Sequence, residues 1–288
     1  MLGDTDWLHA LCRCIRQGDA IKVQNLLEGR SVPGHSGSEL KLAENPLHLA
    51  VVQGNRDIVE LLLSRGANIE ATNVYGESPL HIAARSGDTA LVSSLLAAGS
   101  NIDSYDCGEA TPLFHAVYSD KPSTTELLVK AGANLNTLNE ELMTPLDHAV
   151  LYKYSRIISL LLRGGCSVET SNGSEYFPGH YSNSLLFSLW TNGDLDNVQV
   201  LIDAGYKVRR SDLTKLFAVA KQLNWDSAML NCVDEMVSQP LTLKGSCRVA
   251  IRRHLMSLRD IKQKQLLHLV EDLPLPSILK DYVSMFKF

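Results

Sequence analysis

The chain has 288 residues, a formal net charge of −5 and 45% hydrophobic residues, which fits two compact domains or one extended array of repeats. The slightly acidic balance excludes the globally basic surface typical of nucleic-acid-binding proteins. The sequence lacks an apolar run of the ~18 residues that a membrane span needs and the basic and apolar regions of a signal peptide. We therefore expect a soluble cytoplasmic protein without a membrane partner, with the nucleus as a second location.

The six cysteines form no Cys-x-x-Cys pair. We expect reduced thiols in an intracellular protein and not a disulfide framework. Cys12 and Cys14 lie two residues apart, and neither has His or Cys partners at the spacing of metal ligands. The sequence therefore predicts no metal site and no cofactor.

A period of 33 residues dominates the first half of the chain. One landmark with this spacing is a Pro-Leu-x-x-Ala segment, which begins at Pro46, Pro79, Pro112 and Pro145. A second landmark with the same spacing is the glycine at positions 66, 99, 132 and 165. Two independent markers at one period predict a row of similar structural units.

The residues around these markers predict a pair of short helices in each unit. Ser78 and Thr111 stand where a helix N-cap belongs, and the proline that follows each of them suits the first helical turn. Leu80 and Ala83 have helical spacing in the first helix. A glycine such as Gly99 then ends the second helix, because the left-handed conformation favours glycine. One unit cannot bury its own apolar face, so the units must stack.

A Thr-Pro-Leu-His-x-Ala core at this period resembles the ankyrin repeat, most clearly over residues 43–170. The resemblance implies an all-α solenoid of about six to seven repeats over residues 1–239. Residues 5–30 resemble a worn first repeat, residues 171–183 interrupt the period, and residues 211–239 resemble a degenerate seventh repeat. Degenerate ends are expected because a terminal repeat has one face in water.

The fourth and fifth repeats depart from this pattern. Phe114 and Asp147 replace the histidine of the core, and Asp120 and Lys153 replace the glycine of the turn between the two helices. We expect these two repeats to be distorted.

The histidines of the array are expected to be structural. His48 and His81 hold the core position, and we expect each to form hydrogen bonds within its own repeat. His115 and His148 are shifted by one position and are expected to share this role. The sequence contains none of the motifs of metalloproteases, serine hydrolases, dinucleotide-binding proteins or P-loop enzymes, and it predicts no catalytic residue.

The sequence changes character over residues 240–288, where it predicts three helices. The first carries one apolar stripe at a spacing of four residues, formed by Leu243, Cys247, Ile251 and Leu255. The third helix follows a Leu-Pro-Leu-Pro segment and has an apolar side. The candidate partner-binding residues of this segment and helix are Leu273, Pro274, Leu275, Pro276, Leu279 and Tyr282.

The Thr-Leu-x-x-x-Cys-x-x-x-Ile pattern resembles the elongin-binding box of SOCS-box proteins, and the Leu-Pro-Leu-Pro segment resembles their cullin box. The chain is therefore similar to the ankyrin repeat and SOCS box (ASB) family. The resemblance implies a non-catalytic substrate-recognition subunit of a ubiquitin ligase. Elongin B and elongin C would bind the first box, with Leu243 in a pocket of elongin C, and cullin-5 with a RING-box protein would be recruited with the help of the second.

The resemblance also implies that the ankyrin array binds an unidentified protein substrate through its hairpin tips and first helices. Tyrosine and arginine are common anchors of interfaces. We therefore predict as substrate-binding residues Tyr75, Arg85, Tyr118 and Tyr152. The alternative for each is an exposed side chain without a partner.

Two other functions remain open from the sequence. The chain could be an ankyrin scaffold or inhibitor without a ligase, in which the last three helices only cap the solenoid. It could also be an enzyme, although no catalytic constellation supports this. Binding of elongins separates the first alternative from the ligase subunit, and an activity that needs no partner would support the second.

Overall fold

The computed structural model describes residues 4–30, 32, 45–168, 185–191, 194–204 and 206. All regular secondary structure in these residues is α-helical, and they contain no strand. The predicted all-α ankyrin fold is confirmed over this part of the chain. The expected boundary at residue 239 and the degenerate seventh repeat lie outside the described residues.

The chain divides into two compact units, Met1–Pro145 and Leu146–Phe288. The helices of the first unit are α1 Asp4–Arg16, α2 Ala20–Leu27, α3 Pro46–Val52, α4 Arg56–Ser64, α5 Pro79–Ser86, α6 Thr89–Ala97, α7 Pro112–Tyr118 and α8 Pro122–Lys130. Helix α9 spans Pro145–Leu151 and begins at the last residue of this unit. The described helices that follow it are α10 Ser155–Gly164, α11 Leu185–Thr191 and α12 Leu195–Asp203.

The first unit is a two-layered stack of helix pairs. The first helices pack in the order α1, α3, α5 and α7, and the second helices pack in the order α2, α4, α6 and α8. The side chains between the layers are fully buried at equivalent positions of successive repeats, namely Leu47, Leu80 and Leu113, Ala50, Ala83 and Ala116, and Leu62, Leu95 and Leu128. Burial of each leucine contributes about 1.5–3 kcal/mol, and this gain requires a neighbouring repeat.

In the second unit α12 packs on α10 and α11. Asn197, in the first turn of α12, is almost fully buried. Its side-chain amide donates to the carbonyl oxygen of Ser155 at 2.8 Å and to the carboxylate of Asp194 at 2.8 Å. A buried amide needs such partners because an unpaired polar group in the core is destabilising.

The predicted helix ends are confirmed. The hydroxyl of Thr111 accepts the backbone N–H of Phe114 at 3.3 Å, and the backbone N–H of Ser78 donates to the ring of His81 at 3.1 Å. The second helices α4, α6, α8 and α10 each end before a glycine with a φ between 83° and 96°. After Gly99, for example, the backbone N–H of Ser100 returns to the carbonyl of Leu95 at 3.0 Å, a bond that closes the last turn.

The expected distortion of the turn between the helices is wrong. Asp120 and Lys153 have φ angles of 50° and 62°, in the same left-handed region as the glycines of the earlier repeats. The turns also keep the same backbone bonds, as from Lys121 to the carbonyl of Ala116 at 2.9 Å. Packing of the two helices therefore overrides a local preference of about 1–2 kcal/mol.

Replacement of Lys153 by glycine should stabilise the protein by about 1 kcal/mol, because glycine adopts the left-handed conformation without a steric penalty. The measurement is thermal unfolding of the full chain. Lys153→Ala is the matched control, since it removes the same charge but keeps the Cβ atom, and it should give no gain. Equal stabilisation by both variants would contradict this assignment.

Candidate protein-binding surface

Hairpin turns with one geometry connect successive repeats of the first unit. In the second turn, one carboxylate oxygen of Asp106 accepts the backbone N–H groups of Gly108 at 2.9 Å and Ala110 at 2.8 Å. Side chains that bond to the backbone in this way fix a turn. The equivalent residues Asn73 and Asn139 accept two backbone N–H groups each in the same manner.

The three hairpin tips lie in a row. The backbone N–H of Cys107 donates to the carbonyl of Tyr75 at 2.9 Å, and that of Glu140 donates to the carbonyl of Gly108 at 2.9 Å. Below the tips, the carboxylate of Glu70 accepts the N–H of Asn101. These bonds hold each tip against the next, so their exposed side chains form a continuous surface.

Buried imidazoles connect the first helices to the hairpins that follow. His48 Nε2 lies 2.9 Å from the carbonyl oxygen of Glu77, and His81 Nε2 lies 3.1 Å from that of Ala110. Because Nδ1 of His81 accepts the N–H of Ser78, its Nε2 carries the proton and donates. The sequence predicts that these histidines form hydrogen bonds within their own repeat, but each ring also contacts a carbonyl oxygen of the next hairpin. Stacking of the repeats brings that hairpin within reach of the ring.

Burial keeps these rings neutral. It lowers the pKa of His81 to about 4, with a smaller contribution from the neighbouring His115, whose ring centroid is 5.2 Å away. Burial also lowers the pKa of His148 to about 4 and lowers the pKa of His48. A neutral imidazole at pH 7 suits the structural role that the sequence predicts.

A charged network lies beneath the first tip. The carboxylate of Glu77 is 6% exposed and accepts the amide of Asn73 at 2.7 Å. Both of its oxygens also contact the guanidinium of Arg85, and Nδ1 of His115 lies 3.9 Å away. Burial raises the pKa of Glu77, but the hydrogen bonds from Asn73 and Arg85 outweigh this effect, so the pKa lies below its ordinary value.

The same histidine joins this network to the second tip. Nε2 of His115 lies 2.8 Å from the carboxylate of Asp106. Burial of Asp106 raises its pKa, but the hydrogen bonds from His115 and from the backbone lower it by more. His115 therefore contacts carboxylates of two successive hairpins, and the cluster fixes the tips relative to the helices.

The predicted substrate-binding residues fall into different surroundings. Tyr75 on the first tip and Tyr118 at the end of α7 are 69% and 62% exposed. Arg85 holds the equivalent position to Tyr118 on the packed helix α5, but it is paired with Glu77. In the second unit, Tyr152 is exposed and its ring lies 4.4 Å from that of His148. Exposure allows binding by the tyrosines, and the ion pair gives Arg85 a structural role as well.

Sequence reasoning missed two residues of the tips. Glu109 and Leu142 are exposed, and both adopt the left-handed conformation with a φ of 58°. They stand 33 and 66 residues after Gly76, which has a φ of 75°. Alignment of the three turns on Gly76 would have revealed that Glu109 and Leu142 occupy a position at which the backbone favours glycine.

The two predicted partner-binding elements of the C-terminal segment lie outside the described residues. They are the elongin-binding residues Leu243, Cys247, Ile251 and Leu255 and the cullin-box residues Leu273, Pro274, Leu275, Pro276, Leu279 and Tyr282. Among the residues that are described, no helix is long and apolar enough to cross a bilayer. Within the same residues, no group of three histidine, cysteine or acidic side chains could hold a metal ion.

Comparison with known families agrees with the repeat geometry. Residues 8–106 and 80–172 match the model of ankyrin repeats (3 copies), and residues 239–284 match the model of the SOCS box. The ankyrin matches together extend over more than half of the chain, and the protein belongs to the ankyrin repeat family. No curated protein matches the chain.

An ankyrin array followed by a SOCS box confirms the resemblance to ankyrin repeat and SOCS box proteins. This combination supports the general role of a substrate receptor in a cullin-RING ubiquitin ligase. A SOCS box is an adaptor element that binds elongin and cullin complexes in general, which supports a non-catalytic receptor.

Acidification should destabilise the array between about pH 6.5 and pH 4. The pKa of His81 in the folded state is below the unfolded value of 6.5, so the unfolded state binds more protons in this window. The free energy of unfolding therefore decreases as the pH is lowered. A full shift of this size corresponds to ~3 kcal/mol for one ring. Loss of the carboxylate pairs of Glu77 and Asp106 follows only at lower pH, because their folded pKa values are depressed.

The measurement is thermal unfolding across this pH range for wild type and His81→Phe, which introduces the residue that Phe114 supplies in the next repeat. The variant should be less stable at pH 7 by about 1–3 kcal/mol because it loses the hydrogen bonds of the ring to Ser78 and Ala110. Its decline with acidification should be shallower. An unchanged decline would show that His81 does not titrate as the structure requires.

The Glu77–Arg85 pair should stabilise the first hairpin. Arg85→Ala leaves a buried carboxylate with fewer partners, so a double-mutant cycle with Glu77→Gln should give a coupling of about 1–2 kcal/mol. The value is modest because Arg85 is partly exposed to solvent. Additive effects of the two substitutions on unfolding would refute a structural role for Arg85.

Proposed function

We propose that the protein is the substrate-recognition subunit of an elongin B/C–cullin-5–RING ubiquitin ligase. In this proposal residues 1–239 form the ankyrin array and residues 240–288 form the SOCS box. The observation that carries the proposal is the order of the two matches, with the SOCS-box match over residues 239–284 beginning just before the Thr-Leu-x-x-x-Cys-x-x-x-Ile pattern. The protein acts in the cytoplasm, with the nucleus as a second location.

The apolar stripe of the first box supplies the elongin contact. Leu243 enters a pocket of elongin C, and Cys247 and Ile251 pack beside it as apolar contacts. A leucine anchor in an interface pocket contributes about 2 kcal/mol or more. An apolar stripe of this kind needs a cover, because large exposed apolar patches mark interaction sites or aggregation.

The second box recruits cullin-5 together with its RING-box partner. Pro274 and Pro276 fix the backbone on either side of Leu275, and Tyr282 lies on the apolar side of the predicted helix that follows. The ankyrin array binds the protein to be ubiquitinated. The chain thus bridges a substrate and a ligase and performs no chemistry of its own.

The elongin contact is tested by co-purification of full-length variants with elongin B and elongin C. Leu243→Pro with Cys247→Phe should abolish the complex, because proline breaks the helix and phenylalanine overfills the contact. Arg253→Ala is the control, since Arg253 lies off the apolar stripe, and it should bind as wild type does. Retention of elongins by the double variant would count against the proposal and favour an ankyrin scaffold.

The cullin contact is tested separately. Replacement of residues 273–276 by alanine should leave the elongin complex intact and weaken its binding to cullin-5 by about tenfold or more, which corresponds to ~1.4 kcal/mol. Binding is measured with purified complexes and immobilised cullin-5. Equal binding of the variant would show that this segment is not the cullin contact.

A further inference from the structure

Exposed apolar side chains occur together on the hairpin tips. Val74 and Tyr75 on the first tip are 80% and 69% exposed, and Leu142 on the third tip is 58% exposed. The backbone bonds between neighbouring tips hold these side chains on one rigid row. Single exposed apolar residues are common on protein surfaces, but here they stand on the first and third tips of one hydrogen-bonded row, with the second tip between them.

Exposed carboxylates lie on the second and third tips of this row. Glu109, Glu140 and Glu141 are exposed, and none of them forms an ion pair with another described residue. The carboxylates beneath the tips differ, because Glu77 contacts Arg85 and Asp106 contacts His115. The tips therefore present uncompensated negative charge beside apolar side chains.

The backbone adds an independent indication. Glu109 and Leu142 occupy the position that Gly76 holds in the first turn, and all three have a positive φ. Left-handed backbone is unfavourable for a residue with a side chain. The hydrogen bonds of the turn impose this backbone conformation, but they do not require a side chain there, since Gly76 forms the same turn without one. A side chain kept where glycine forms the same turn points to a function outside the fold.

We propose that residues 74–75, 109 and 140–142, the tip surface, bind a cationic segment of the protein substrate in which lysine or arginine alternates with large apolar residues. This inference rests on the proposed function as a substrate receptor. Apolar side chains of the segment contact Val74, Tyr75 and Leu142, and its basic side chains meet the carboxylates. The charge of the surface repels phosphate groups, so nucleic acid is not the ligand.

Substitutions in the tip surface should affect stability and substrate binding in opposite directions. Glu109→Gly and Leu142→Gly each relieve the backbone and should raise the melting temperature by about 2–4 °C. The same substitutions remove a carboxylate and an apolar contact, so the double variant should bind the segment about tenfold more weakly. A purely structural role for these residues predicts no loss of binding.

The probe is a library of random peptides displayed on phage. The library is selected on the immobilised full chain and counter-selected on the Glu109→Gly, Leu142→Gly double variant. Peptides enriched on wild type should combine basic and large apolar residues, and synthetic copies should bind the double variant about tenfold more weakly. The proposal is overturned if no peptide is enriched, if the enriched peptides lack basic residues, or if they bind both proteins equally.

Two controls separate an effect on the tip surface from a general effect on stability or folding. Lys153→Gly should raise the melting temperature without changing peptide affinity, because its turn joins two helices and is not a hairpin tip. Elongin binding by wild type and the double variant is measured in parallel. Loss of peptide binding with elongin binding intact locates the effect at the tip surface, whereas a chain that binds peptide but no elongin retains the surface and refutes the ligase.

Discussion

A hydrogen bond between neighbouring repeats determines most of this structure. The neutral ring of His81 donates to the carbonyl of Ala110, which lies just before the first helix of the next repeat. His48 lies equally close to the carbonyl of Glu77 one repeat earlier. Since the rings are buried, a shift of one repeat against the next by one residue would leave the ring nitrogens and the carbonyl oxygens without hydrogen-bond partners in the core. His48 and His81 therefore fix the register of the repeats that they join.

This register carries through to the hairpin tips. An imidazole holds each of the first two hairpins from below, and the backbone of Cys107 on the second tip bonds to Tyr75 on the first. Beneath the tips, the carboxylate of Glu77 is paired with Arg85, and the carboxylate of Asp106 lies within hydrogen-bond distance of the ring of His115. A surface fixed in this way loses little conformational entropy when a partner binds, which favours affinity. The bonds between the tips also hold Glu109 and Leu142 in the left-handed conformation.

The sequence predicts the repeat well because local chemistry repeats with it. Capping by Thr111 and the left-handed glycines after the second helices follow from residue type at fixed spacing. The turn at Lys153 does not, because packing of two helices overrides the preference of one residue. The bond from His81 to Ala110 spans 29 residues and depends on how repeats stack. The two C-terminal boxes are defined by sequence pattern, whereas the tip surface required the backbone angle at Leu142.

The central claim is that one chain joins an ankyrin array to a ubiquitin ligase. Its most direct test is co-expression of the full chain with elongin B and elongin C, followed by size-exclusion chromatography with light scattering. The account predicts a single species with the combined mass of the three chains, which increases when cullin-5 with its RING-box protein is added. A chain that elutes alone as a well-behaved, monodisperse protein, with the elongins in a separate peak, would contradict it.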